Sequence, residues 1–153
     1  MSYYTRDDLF FLGRMNIRYH ESMELMYGRF LNWTSFASLL LSSAAFAAVG
    51  AMLPETWKPY RDAIIALLAL AVTALNAAVL AFGMYGKFMS HTDLKKQWIE
   101  FLSALEAAAD DQIPAVERQF DALNAREPAP NRFLLDRAHN KTREALGWVQ
   151  PSA

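Results

Sequence analysis

Two runs decide the reading of this chain: WTSFASLLLSSAAFAAVGAML at residues 33–53 and AIIALLALAVTALNAAVLAFGMY at residues 63–85. Neither contains Asp, Glu, Lys or Arg. A helix rises about 1.5 Å per residue, so each run is long enough to cross roughly 30 Å of hydrocarbon. A buried helix pair in a soluble bundle would show polar faces, and these runs show none. The expectation is a membrane hairpin whose turn is PETWKPYRD at residues 54–62.

Working outward, the 153 residues carry a net charge of −1, and a mean hydropathy of +0.04 averages the two apolar runs with charged flanks. Such a balance offers no basic face for nucleic acid, and no nucleic-acid partner is expected. Cysteine is absent, which excludes disulfides, thiolate metal sites and cysteine nucleophiles. The first run follows a stretch containing Asp7, Asp8, Glu21 and Glu24, unlike the short basic leader of a signal peptide, so it is expected to remain in the mature chain.

Orientation follows the basic residues near the ends of the runs. Arg14, Arg18 and Arg29 precede the first, Lys87, Lys95 and Lys96 follow the second, and the turn holds only Lys58 and Arg61. Both termini are therefore expected in the cytoplasm. Trp57 and Tyr60 suit the outer interface and Trp33 and Tyr85 the inner one, because their rings are apolar and their polar tips stay wet. The sequons Asn32-Trp33-Thr34 and Asn140-Lys141-Thr142 then face away from glycosylation.

Elsewhere the apolar spacing is helical, and an all-α, oligomeric helical bundle is expected. Thr5 and Asp8 form a capping-box pattern, and Leu12, Met15, Tyr19, Met23, Met26 and Phe30 give residues 5–31 an amphipathic face leading into the first run. Beyond the second run, Phe88, His91, Leu94, Trp98, Phe101 or Leu102, and Leu105 continue one face, with the second span expected to run straight into this extension. Pro114 suits the start of another helix with Ile113, Val116, Phe120 and Leu123 on its face. Glu127-Pro128-Ala129-Pro130 reads as a break. A last helix begins near Asn131, carries Phe133, Leu134, Ala138, Ala145 and Leu146, and stops at Gly147. The division is thus a single membrane domain with cytoplasmic helices over residues 86–147. In it the faces holding Met15, Tyr19 and Met23 and holding Phe88, His91, Leu94 and Trp98 are expected to pack together.

Polar residues inside the runs supply the candidate functional positions. An unpartnered amide costs several kcal/mol in hydrocarbon, so Asn76 must face protein or water. Ala69, Thr73, Ala77 and Ala81 form a small-residue stripe that permits close helix approach. Ser35, Ser38 and Ser42 line one face of the first run. These positions are read either as packing devices or as the lining of a narrow water path in a homo-oligomer, since two spans alone cannot enclose a pore. Catalysis finds no foothold: His20-Glu21 resembles the start of a zinc-protease motif, but position 24 is Glu24 where a second histidine is required. Asp136 and His139 share a helix face without a third group. No enzyme activity, metal or cofactor is expected.

Tyr19-His20, Trp33-Thr34-Ser35-Phe36, Ser42-Ser43-Ala44-Ala45-Phe46, His91-Thr92-Asp93-Leu94, Glu127-Pro128, His139-Asn140 and Leu146-Gly147 carry a resemblance covering nearly the whole chain. On these short motifs the chain resembles bacterial and prophage two-span membrane proteins related to the SLATT domain, an effector domain found with nucleotide second-messenger conflict systems. The resemblance implies a helical hairpin with long cytoplasmic helices in the bacterial inner membrane, oligomerisation, and pore formation in cell suicide against phage. Asn76 stands where such relatives often place an acidic residue, and no fused sensor domain is expected with the spans. The implied trigger is a separately encoded sensor or a phage component. The alternative is a non-conducting membrane scaffold that recruits a cytoplasmic partner.

Overall fold

A reciprocal cap starts the first helix. The Thr5 hydroxyl donates to Asp8 Oδ2 at 2.6 Å, while the Asp8 amide donates to Thr5 Oγ1 at 3.1 Å, satisfying donors that a helix start leaves open. The bonds from Thr5 hold the Asp8 carboxyl below its usual pKa. In this computed structural model, which describes residues 4–42, 51–52 and 54–148, the helices are α1 (Arg6–Ser42), α2 (Lys58–Ala81), α3 (Met84–Ala107), α4 (Ile113–Asn124) and α5 (Arg132–Ala145). Short 3-10 turns lie at Glu55–Trp57 and Asp110–Gln112. The described residues are all-helical with no strand. Residues 43–50 and 53 of the first apolar run lie outside them, as does the Ser42 side chain.

The second helix does not run on into the third. α2 ends at Ala81, short of the expected residue 85, because Gly83 adopts φ +57°, the left-handed conformation that closes a helix C-terminus. The Phe82 amide donates to the Ala78 carbonyl at 2.9 Å and the Gly83 amide to Leu80 at 3.1 Å, after which α3 starts afresh. By contrast, α1 passes without interruption from its amphipathic half into the start of the first apolar run.

Two compact units result, one formed by residues up to Leu25 with those from Phe88 on, the other by Met26–Lys87. The first unit is a helical bundle. Leu94, Trp98, Phe101, Leu102 and Leu105 recur at helical spacing along α3 and are all buried, against Leu9 of α1 and Val116, Phe120 and Leu123 of α4. Aromatic edges interlock there: Trp98 meets Phe101 at 5.5 Å and Phe120 at 5.6 Å between ring centroids. α1 and α3 approach closely at Gly13, where an added Cβ would lie 2.6 Å from Leu102 Cδ2. Arg6 of α1 caps the end of α3, donating to the Leu105 carbonyl at 2.8 Å and to that of Ala108. Arg18 donates to the Lys141 carbonyl on α5.

α4 begins with Pro114 in its first turn, where the missing N–H is no loss. α5 is capped by Asn131, whose side chain accepts from the Leu134 amide at 3.3 Å, and it ends before Gly147 at φ +70°. Its buried residues are Ala138 and Thr142, whereas Phe133 in its first turn is 72% exposed.

The second unit pairs the latter part of α1 with α2, and its only buried side chains among the described residues are Leu31, Thr34 and Val79. Within it, Tyr60–Ala81 is apolar with a mean hydropathy of 2.5, and only 6% of that window is buried. This is the one helix among the described residues long and apolar enough to cross a membrane.

Candidate functional site

Inside the first unit, three ionisable side chains from distant points of the chain meet in a line. His20 lies beside Tyr19 on the buried face of α1, and both are almost fully enclosed, at 0% and 2% exposure. Across from it, α3 presents His91 and, two turns later, Trp98 on the same face, both buried. The non-helical segment after α4 brings in Glu127, whose side chain is mostly buried.

His20 is the centre of the line. Its Nδ1 lies 2.8 Å from His91 Nδ1, and its Nε2 lies 2.8 Å from Glu127 Oε1. The same carboxylate oxygen accepts the Trp98 indole N–H at 2.7 Å. An ionised carboxylate only accepts, so His20 Nε2 carries a proton. His20 Nδ1 then accepts from His91 Nδ1–H when both rings are neutral, so the three groups form one continuous hydrogen-bonded line. Asn131 fastens the same corner by donating its backbone amide to the Tyr19 hydroxyl at 3.0 Å.

The arrangement is a hydrogen-bonded line and not a metal centre. Metal ligands must converge on one point at about 2.0–2.2 Å, but His20 stands between the other two groups and offers each a different nitrogen. No cluster able to hold a metal occurs among the described residues. Asp136 and His139 also make no site: the His139 ring packs edge-on against Phe11 at 5.3 Å.

Burial and the neighbouring His20 push the His91 pKa down, against a smaller upward pull from Glu127. In the unfolded chain His91 takes up its proton near the ordinary value of about 6.5, whereas the folded protein resists it until lower pH. Just below pH about 6.5 the unfolded state therefore holds more protons, so this contribution to stability is complete above that pH and is lost as pH falls. Thermal midpoints measured from pH 8 to pH 5 should decline through that window, and His91→Gln should flatten the decline. An equal slope in both proteins would remove His91 as its source.

The other sequence candidates fall as follows. Met23 and Leu94 are buried in the first unit, Met15 and Phe88 are half-buried, and Met26, placed on the same stripe, is 42% exposed in the second unit. On the second unit, Ser38 and Asn76 form a reciprocal pair: the hydroxyl donates to Asn76 Oδ1 at 3.2 Å, and Asn76 Nδ2 donates to the hydroxyl oxygen at 3.0 Å. Thr73 donates to the Ala69 carbonyl of its own helix at 2.9 Å. Ser35 lines a small recess with Leu31, Thr34 and Asn76, while Ala69, Ala77 and Ala81 are exposed.

Sequence reasoning did not bring Glu127 and His20 together: it took Glu127 as part of a helix break and His20 as the start of an incomplete metal motif, and used both otherwise only as short resemblance motifs. A usable signal existed for His20, which lies next to Tyr19 on an apolar face and so needed a buried partner. None existed for Glu127, because its partners lie 107 and 29 residues away. No protein-family model, curated protein or solved structure matches this chain.

Proposed function

We propose that this chain is a self-assembling, SLATT-like two-span protein of the bacterial inner membrane, whose oligomer perturbs the membrane in anti-phage defence or phage exclusion. The observation that carries this reading is the helix Tyr60–Ala81, whose apolar window is only 6% buried. Leu67, Leu70 and Leu80 on it are each at least 66% exposed, as is Trp33 on α1 at 69%. Apolar surface gains roughly 25 cal/mol for each Å² removed from water, so a face this open calls for lipid or further copies of the chain. The Ser38–Asn76 pair suits hydrocarbon, since both amide groups find a partner within the unit.

Assembly is assigned to the exposed face of Ala69, Thr73, Ala77 and Ala81, where small side chains let backbones approach. Ala77→Leu should hold copies apart and shift the native mass in mild detergent toward monomer. A monomeric parent, or an oligomer indifferent to Ala77→Leu, would exclude this interface. Topology is testable because native cysteine is absent. Thr56→Cys should react with an impermeant thiol reagent on spheroplasts, and Ser152→Cys should not; labelling at Ser152→Cys alone would invert the orientation.

A second reading, a non-conducting scaffold that recruits a cytoplasmic partner, draws on the same Ser38–Asn76 pair, because an amide closed on a hydroxyl leaves less polar surface for a water path. Controlled expression in bacteria with membrane potential and growth followed together separates the two. Depolarisation that precedes growth arrest supports the effector, and an undisturbed potential supports the scaffold.

A further inference from the structure

In the first unit, α1, α4, α5 and the Pro128–Pro130 segment border a groove of about 380 Å³ that reaches the edge of the aromatic core at Phe120. Asn16 lines it while only 8% exposed, and its side-chain amide makes no hydrogen bond among the described residues. Every fully enclosed side-chain nitrogen or oxygen among those residues does have a partner. The Asn16 amide therefore opens onto the groove, where it is held by burial and left without a complement.

The chemistry of the walls selects what would supply them. Glu127 lines the groove, and its Oε1 takes both the His20 and Trp98 bonds, leaving Oε2 with no hydrogen bond among the described residues. Tyr4, Tyr19 and Phe120 contribute aromatic surface. No Lys, Arg or His is among the lining residues, so a phosphate or carboxylate would enter without a counter-charge. Pro128 and Pro130 lack N–H groups, which tilts the loop toward acceptors. Acceptors, one free carboxylate oxygen and aromatic rings together favour a ligand rich in donors and positively charged.

We infer that this groove is a binding site for a small organic cation, a protonated amine on a compact apolar body, with Glu127 Oε2 and Asn16 as its polar contacts. The inference is independent of the membrane role proposed above, because every residue it uses belongs to the first unit. Occupancy would act on the same carboxylate that anchors His20 and Trp98, so the Trp98 indole N–H reports on it.

Three probes of matched shape test the site on the full chain in mild detergent: benzylammonium, benzyl alcohol and benzoate, each titrated while the Trp98 indole N–H resonance is followed. Benzylammonium should give a saturable shift at least about fivefold tighter than benzyl alcohol, and benzoate should give none. Asn16→Leu should weaken benzylammonium by about fivefold or more while the ligand-free thermal midpoint stays level or rises, since Leu is the better helix former. Glu127→Gln should abolish the preference for the cation over the alcohol; should that variant fail to fold, Asn16→Leu and the charge series decide alone. Equal binding of all three probes, no saturable shift with benzylammonium, or unchanged benzylammonium affinity in Asn16→Leu would each overturn the assignment.

Discussion

Trp98→Ala should lower the stability of the first unit by roughly 3–5 kcal/mol, the range for truncating a buried aromatic side chain. Trp98 is 0% exposed and packs its edges against Phe101 and Phe120, so no solvent-filled space stands ready to absorb the loss. Its indole N–H also disappears, leaving Glu127 Oε1 with His20 as its remaining donor. Insertion should be untouched, since Trp98 lies outside the apolar helix Tyr60–Ala81. Trypsin is a convenient gauge, because Arg18 is tied to the Lys141 carbonyl in the folded bundle. When opening is fast, cleavage follows the opened population, so a loss of about 3 kcal/mol should speed cutting at Arg18 by more than about a hundredfold. Rapid cutting at Arg14 or Arg18 in the unaltered, detergent-solubilised protein would instead count against the bundle itself.

Glu127→Ala should cost roughly 2–6 kcal/mol by a different route. One oxygen serves two buried donors, His20 Nε2 at 2.8 Å and Trp98 Nε1 at 2.7 Å, and its removal orphans both at about 1–3 kcal/mol each. Glu127→Gln keeps an acceptor at the same place and should lose less. A double-mutant cycle isolates the shared bond: Trp98→Phe retains an aromatic ring but no N–H, so Glu127→Ala should be milder in that background by about 0.5–3 kcal/mol. Additivity to within about 0.3 kcal/mol would show that the Trp98–Glu127 bond contributes nothing of its own. Denaturant midpoints of the four proteins in one detergent supply the cycle.

Much of the local architecture was legible in the sequence because its causes are local. Thr5 and Asp8 close a box within one turn, Pro114 opens α4, Asn131 caps α5 and Gly147 follows its end, each through groups a few residues apart. The break at Gly83 was equally local and was passed over, since the apolar run continues through it to Tyr85 and hydropathy carries no information about φ. Apolar character is likewise no guide to burial at Phe133, which is 72% exposed in the first turn of α5.

The candidate site divides along the same line. Helical spacing put Tyr19 on one face and His91, Leu94 and Trp98 on another. Periodicity does not say which face meets which, nor what satisfies a histidine once it is buried. By itself the sequence determined the all-helical class, the starts of α1, α4 and α5, the end of α5 and the apolar character of the run that forms most of α2, because these depend on contacts within a turn or on composition. Only the tertiary structure decided that His20, His91, Trp98 and Glu127 share one hydrogen-bonded line, and that Asn16 is enclosed beside it without a partner. Those pairings span 29 to 107 residues, and they arise where packed helices bring buried polar groups together, at which distance in sequence no local propensity acts.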